Sequence, residues 1–256
     1  MEVIRSDRDG IATLTLNRPE KRNAISPAMI QSLQGHLESI REDSSVRVIF
    51  LTGMGKTFCA GMDLERVQQV VESAQGMEVP WQDTIALEKV FGILFTLPQP
   101  TVALVNGPAV AGGAGLVSLC DLALAVPAAR FGYPEVRRGL VAALVLPHLL
   151  RLVGERQARF LLLTGELLTA EEAWRIGLIN AVVKEEELVE TGNRLAASLM
   201  QGGPRALAKT KELLREIRSN PGGEFGGSHA PVLTQESLQG LRAFFSKQDP
   251  PWAKKP

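Results

Sequence analysis

The sequence predicts one α/β domain built on a parallel or mixed sheet, with a helical layer toward its C-terminal end. Three observations lead there. β-branched strand-like runs alternate with amphipathic helical stretches over residues 3–126; two apolar runs lead directly into glycine turns; and beyond Pro147 the apolar spacing is mostly helical. At 256 residues with 45% hydrophobic content, the chain has material for a core of ordinary size, which excludes a disordered protein.

Each element has its own local reason. Val3, Ile4 and residues 11–17 alternate across an Asp9-Gly10 step, the pattern of a β-hairpin. Ser26 followed by Pro27 is an N-cap and first-turn pair, and Ile30, Leu33, Leu37 and Ile40 recur at helical spacing, so a helix is expected from Pro27 to about Glu42. Residues 46–52 and 101–105 read as strands, with a helix between them over about 84–97, and residues 121–126 read as one more short strand. Thr169 and Glu172 form a capping box ahead of Ala173, Trp174 and Ile176, and Gly177 stands where a helix-ending glycine belongs. A short strand at 179–183 and helices over 186–200 and 204–218 follow. Residues 219–230 are glycine-rich and aperiodic, which predicts a mobile connection before a last helix at about 234–247. The division expected is a core over residues 1–195 and a helical subdomain over 196–256.

Composition narrows the function. Lys plus Arg number 28 and Asp plus Glu number 28, so the formal charge is zero and the electrostatic footprint of a non-specific nucleic-acid binder is missing. Charged residues at the start argue against a signal peptide, and the most apolar later run, 140–150, is too short for a membrane span and is broken by Pro147 and His148. Cys59 and Cys120 form neither a C-x-x-C pair nor a disulfide framework, so a reducing cytosol is expected. No G-x-S-x-G or H-E-x-x-H occurs, and His36, His148 and His229 lack ligand spacing, so no metal is expected. Gly55-Lys56-Thr57 lacks the leading glycine of a phosphate loop, because Phe50 takes its place.

Two segments, residues 46–64 and 101–119, share one plan: an apolar strand, a glycine turn, then small residues where a helix begins. Glycine lets a backbone approach a ligand closely, and the first N–H groups of a helix point outward as donors. Two such turns on neighbouring strands are able to converge on one oxygen, as an oxyanion hole requires. From the pattern alone, plain tight turns are the favoured reading, since glycines after strands more often serve as turns than as catalytic parts.

Seven motifs in order carry a specific resemblance. They are LNRPEKRNAIS (16–26), GKTFCAGMDL (55–64), VNGPAVAGGAGL (105–116), CDLALA (120–125), FGYPEVRRGL (131–140), LTGELLTAEEAWRIGLINAVV (163–183) and AFFSK (243–247). In these the chain resembles the crotonase superfamily, the enoyl-CoA hydratase/isomerase family, over nearly its whole length. The resemblance implies a crotonase-like spiral of ββα units, an acyl-CoA thioester as substrate, no cofactor beyond the coenzyme A that the substrate carries, and a homotrimer or dimer of trimers with residues 196–256 as the trimerisation subdomain. Neither a nucleic acid nor a membrane partner is expected.

The same resemblance assigns roles. It places oxyanion donors at the backbone amides of Met62 and Gly112, and the acid/base at Glu135. Family hydratases usually carry a further glutamate where this chain has Gly115. Contacts to coenzyme A fall on Arg22 near the phosphates, on Ala60, Asp63 and Leu64 along the thioester arm and adenine, and on Phe244 and Lys247, which in trimeric relatives reach a neighbouring subunit's ligand. Tyr133 is a candidate helper, and residues 67–81 are expected to line or cover the acyl end. The function expected is an enoyl-CoA hydratase, the stretch 135–151 resembling branched-substrate hydratases of the methylglutaconyl-CoA type. A Δ3,Δ2-enoyl-CoA isomerase with Glu135 as single proton shuttle, or an acyl-CoA-binding protein without turnover, are the alternatives that Gly115 keeps open.

Overall fold

The computed structural model of the protein describes residues 1–72, 78–219, 234 and 236–253. Strands β1 (Val3–Arg8) and β2 (Ile11–Leu16) form the expected hairpin. Asp9 and Gly10 both have positive φ, 53° and 83°, which matches the turn twist to that of the strands. β3 (Val48–Gly53), β4 (Thr101–Val105), β6 (Leu122–Ala125) and β9 (Ala181–Val182) then add in parallel, giving a six-stranded sheet in the order β1-β2-β3-β4-β6-β9. Every residue of β4 is buried, as a parallel strand covered on both faces requires.

A second sheet was not legible in the sequence. It joins β5 (Ala109–Val110), β7 (Arg130–Gly132) and β8 (Leu167–Thr169), with β5 and β7 parallel and β7 and β8 antiparallel. Two- and three-residue strands are too short to show alternation.

The helices follow their local signals. α1 (Pro27–Glu42) begins where Ser26 accepts a hydrogen bond from the Met29 amide at 3.1 Å, and it buries Met29, Ile30, Leu33, Leu37 and Ile40. α2 (Leu64–Val71) and α3 (Glu78–Thr96) take up most of the stretch expected to be an acyl-end loop; residues 73–77 of that stretch lie outside the described residues. α4 (Gly112–Leu119) and α5 (Leu146–Thr164) follow, α5 being broken at Gly154, whose φ of 72° and ψ of 170° are not helical. α6 (Ala170–Arg175) carries the capping box as expected. α7 (Leu188–Met200) packs over β3, β4 and β6 and runs unbroken through the 195/196 division expected from the sequence. α8 (Pro204–Ser219) and α9 (Ser237–Phe245) close the chain; the connection expected at 219–230 falls, apart from Ser219, outside the described residues.

A half-buried arginine and a buried lysine fasten the C-terminal helices to the sheet. Arg47 donates to the carbonyls of Trp252 (2.9 Å), Gly202 (2.9 Å) and Met200 (3.3 Å). Lys211, buried on α8, donates to Asp121 Oδ2 (2.5 Å) and to the Gln99 carbonyl (2.7 Å), and the same Asp121 oxygen accepts from the Thr101 amide (2.8 Å) and hydroxyl (2.9 Å). Among the described residues no helix is long and apolar enough to cross a membrane.

Gly35 sits exposed in the middle of α1 with open space where a Cβ would be. Gly35→Ala should therefore raise stability by about 1 kcal/mol, read as a higher urea midpoint with an unchanged slope.

Candidate active site

The parallel register brings the chain out of β3 and β4 side by side, and both exits are glycine turns. The two turns are bonded to each other along their backbones. The Phe58 and Cys59 amides donate to the Pro108 carbonyl at 3.1 and 3.2 Å, and the Val110 amide donates back to the Cys59 carbonyl at 2.9 Å. This approach is why glycine is needed at 113: a Cβ there would stand 2.2 Å from the Cys59 carbonyl oxygen. Gly61 (φ 86°) faces the other turn directly, since its Cβ would lie 2.8 Å from Ala111 Cβ and 3.2 Å from the Gly112 nitrogen.

Ala111, with φ 54° and ψ −125°, turns the chain sharply into α4, so that Gly112 is its first residue. A non-glycine residue with φ in this range is held there by its surroundings, and the Ala111 amide is indeed anchored on the Gly132 carbonyl at 2.8 Å. Met62 is flanked in the same way: the Ile25 amide donates to the Gly61 carbonyl (2.8 Å) and the Asp63 amide to the Ile25 carbonyl (3.1 Å). Between these fixed neighbours, the amides of Met62 and Gly112 take no hydrogen-bond partner among the described residues. Each of the two amides follows directly on the close approach of the turns, at Gly61 and at Ala111.

Glu135 lies in a short 3-10 helix (Pro134–Arg138) just beyond β7, the strand whose Gly132 carbonyl holds Ala111. It is half-buried, and its Oε2 is buried without a hydrogen-bond partner. Desolvation pushes its carboxyl above the ordinary glutamate value, opposed by a hydrogen bond to its own backbone and by the charge of Arg138. Gly115, one turn into α4 from Gly112, has no room for a side chain: its Cβ would meet Val145 Cγ1 at 2.4 Å and the Phe91 ring at 3.2 Å. A second carboxylate at this place is replaced by an apolar wall.

Tyr133 is fully buried, and its hydroxyl lies 3.0 Å from Ser118 Oγ. Ser118 gives its own proton to the Ala114 carbonyl (2.9 Å), which leaves Tyr133 as donor to Ser118. The tyrosine expected as a helper is thus a core residue with its proton committed. The Cys59 and Cys120 thiols are both buried and pushed up to about 12 by burial, so neither is a thiolate nucleophile. Burial brings His148 down to about 4, and its ring packs edge-on against Phe95 at 5.0 Å. No cluster of three or more His, Cys, Asp or Glu suited to a metal occurs among the described residues.

The other expected ligand contacts divide into two groups. Arg22 (φ 54°) is exposed and its carbonyl accepts the Ala60 amide at 3.1 Å, so Arg22, Ala60, Asp63 and Leu64 are brought into one region. The Asp63 carboxylate is turned to Arg18, with Nη1 to Oδ2 at 2.7 Å. Phe244 and Lys247 stand exposed at the end of α9, with the Phe244 ring packed only against that of Phe245 at 5.4 Å among the described residues.

Sequence reasoning missed two residues behind the first turn. Asn23 is fully buried; its Oδ1 accepts the Arg18 amide (2.8 Å) and its Nδ2 donates to the Met54 (3.0 Å) and Thr57 (2.7 Å) carbonyls, tying residues 18–23 to the glycine turn. Arg18 reaches into a charged cleft of about 430 Å³ lined by Glu2, Lys21, Asp63, Glu65 and Arg66 among others. No spacing signals either role, because both act through space on segments more than 30 residues away.

This arrangement defines a class: a parallel-sheet protein whose two strand exits present a pair of amides without partners among the described residues, with a half-buried carboxyl in the segment that follows the strand anchoring the second exit. A model of the enoyl-CoA hydratase/isomerase family matches residues 6–255, and the chain belongs to that family. A Thermus thermophilus protein named "Putative enoyl-CoA hydratase" is 41% identical over 97% of this chain and 99% of its own length. The "2,3-dehydroadipyl-CoA hydratase" of Escherichia coli is 31% identical over 97% of each chain. Among solved structures, an enoyl-CoA hydratase from Shewanella pealeana superposes with a TM-score of 0.91 at 28% identity, covering 98% of this chain and 96% of that one. The fold is therefore the crotonase fold, as the motifs implied.

Gly113→Ala tests the contact between the turns. Its methyl must separate them, so it should cost about 3 kcal/mol of stability and lower kcat by about 100-fold; a denaturation curve and steady-state rates on crotonyl-CoA read both effects.

Proposed function

We propose that the protein is a cytosolic enoyl-CoA hydratase that adds water to an α,β-unsaturated acyl-CoA. The observation that carries this reading is the buried, unpartnered Glu135 Oε2 in a segment anchored beside the start of α4. A carboxyl so placed is raised toward the range useful for proton transfer. The Met62 and Gly112 amides hydrogen-bond the thioester oxygen, and their bonds strengthen as it gains charge in the enolate. Glu135 takes a proton from water as the water oxygen bonds to Cβ and the double-bond pair moves into the enolate. The same carboxyl then delivers that proton to Cα, so the sum is one water added across the double bond. With Val145 and Phe91 filling the space at Gly115, one carboxyl carries both transfers.

Coenzyme A enters with the substrate, and no metal or redox cofactor takes part. Arg22 meets its phosphates, a guanidinium being matched to phosphate geometry, and Ala60, Asp63 and Leu64 flank the adenine and thioester arm. Asp63 does so through its backbone, since Arg18 occupies the carboxylate. The exposed Leu238, Leu241, Phe244 and Phe245 of α9 form an apolar face that supports a homotrimer or a dimer of trimers, with Phe244 and Lys247 offered to the neighbouring subunit's ligand.

The second reading is a Δ3,Δ2-enoyl-CoA isomerase, favoured by the apolar wall at Gly115, since removal and return of one proton needs one base. Mass spectrometry in ¹⁸O-labelled water separates the two: a hydratase incorporates label into the product, whereas an isomerase moves the double bond of a 3-enoyl-CoA with none.

Glu135→Gln should lower kcat on crotonyl-CoA by about 10²–10⁴-fold while coenzyme A binding persists; a near-normal rate removes Glu135 from the reaction. In the wild type, kcat/KM should fall as pH drops through a value above the ordinary glutamate 4.5. Stability runs the other way. A carboxyl raised on folding is penalised when ionised, so its cost is absent below the unfolded value and complete above the raised folded one. Glu135→Gln should accordingly raise Tm at neutral pH and leave it unchanged in acid, measured by calorimetry at both.

A further inference from the structure

We infer that Arg18, acting through the Asp63 carboxylate, is a positioning residue that sets the direction of the Met62 amide. The inference rests on the reading of that amide as an oxyanion donor. Asp63 follows Met62 directly, and its backbone begins α2, with its carbonyl accepting the Val67 amide at 3.1 Å. Its carboxylate is largely buried, 11% exposed, and Arg18 is 18% exposed, so their 2.7 Å contact is poorly screened by water. Arg18 is itself fixed: its amide donates to Asn23 Oδ1, its carbonyl accepts the Asn23 amide at 2.9 Å, and Nη1 also donates to the Ala24 carbonyl at 3.2 Å.

The pair therefore links the rigid 18–25 loop to the residue after Met62, in addition to the Ile25 contacts. It also holds Asp63 Oδ2. A buried carboxylate deprived of its cation turns to the nearest donors, and the unpaired amide of the preceding residue is adjacent to it in the chain. Arg18 keeps that acceptor away from the amide as well as steadying the turn. A ligand role for Arg18 in the charged cleft is the rival.

The test uses the full-length protein, crotonyl-CoA for turnover, and an aryl-conjugated enoyl-CoA whose absorption band moves to the red when its thioester carbonyl is polarised. Arg18→Gln should bind the chromophore about as tightly as wild type, lose most of the red shift, and lower kcat by about 10²-fold with KM little changed. Arg18→Lys, which retains a cation for Asp63, should restore much of both. A raised KM and weak chromophore binding with an intact band shift would make Arg18 a substrate ligand and overturn the inference, as would a lowered Tm with kcat and band shift intact. Should Arg18→Gln fail to fold, Asp63→Asn keeps the shape but not the charge, and an undiminished shift in that variant is equally fatal. A wild type that shifts the chromophore yet hydrates nothing removes the hydratase reading and leaves the inference standing; a wild type with no shift removes the inference.

Discussion

The constraint on which the rest depends is the backbone contact between the two strand exits. Parallel strands place the ends of β3 and β4 next to each other, but that alone leaves two separate loops. The reciprocal bonds of Phe58, Cys59 and Val110 make them a single unit, at a separation only glycine tolerates at 113. The Phe58, Cys59 and Val110 amides are consumed in holding the turns together. Those of Met62 and Gly112, which follow the close approach of Gly61 to Ala111 and Gly112, have no partner among the described residues.

Around this unit, each neighbouring segment serves to fix one side. The 18–25 loop braces the first turn through Asn23, Ile25 and Arg18, while β7 braces the second through the Gly132 carbonyl and then carries Glu135 away from the same spot. Glu135 has been left with an unsatisfied oxygen in a half-buried place, which weakens the fold and holds the carboxyl above its ordinary value. Tyr133, two residues earlier, has the opposite fate: its hydroxyl is satisfied inside the core and supports the wall of α4.

Sequence patterns carried the large elements and lost the small ones. The hairpin turn with β2, α1 and β4 were legible to the residue or nearly so, because Asp9-Gly10, Ser26-Pro27 and an unbroken apolar run are local signals, whereas β1 extends through the polar residues 5–8 beyond the Val3 and Ile4 read from the pattern. α3 begins at Glu78 rather than near Thr84, since Pro80 in a first turn is no obstacle to a helix. The second sheet was invisible because its strands are two or three residues long and paired by context. In the site, the strand-and-glycine plan pointed only to two turns able to converge, whereas the Met62 and Gly112 amides and Glu135 were singled out only through the register of the family motifs. Asn23 and Arg18 had no signal, and the filling of the space at Gly115 by Val145 and Phe91 is a matter of packing between α3, α4 and the residue before α5.

The Lys211–Asp121 ion pair at the far end of the sheet has a consequence for how the molecule comes apart. One oxygen of Asp121, the residue just before β6, accepts from the start of β4 and from the ammonium of α8 together. Lifting α8 away breaks the Lys211 bonds to Asp121 Oδ2 and to the Gln99 carbonyl together, whereas an exposed helix frays one bond at a time. The last helical layer and the sheet should hence open as one cooperative unit, with exchange protection of the α8 amides near Lys211 tracking that of the central strands.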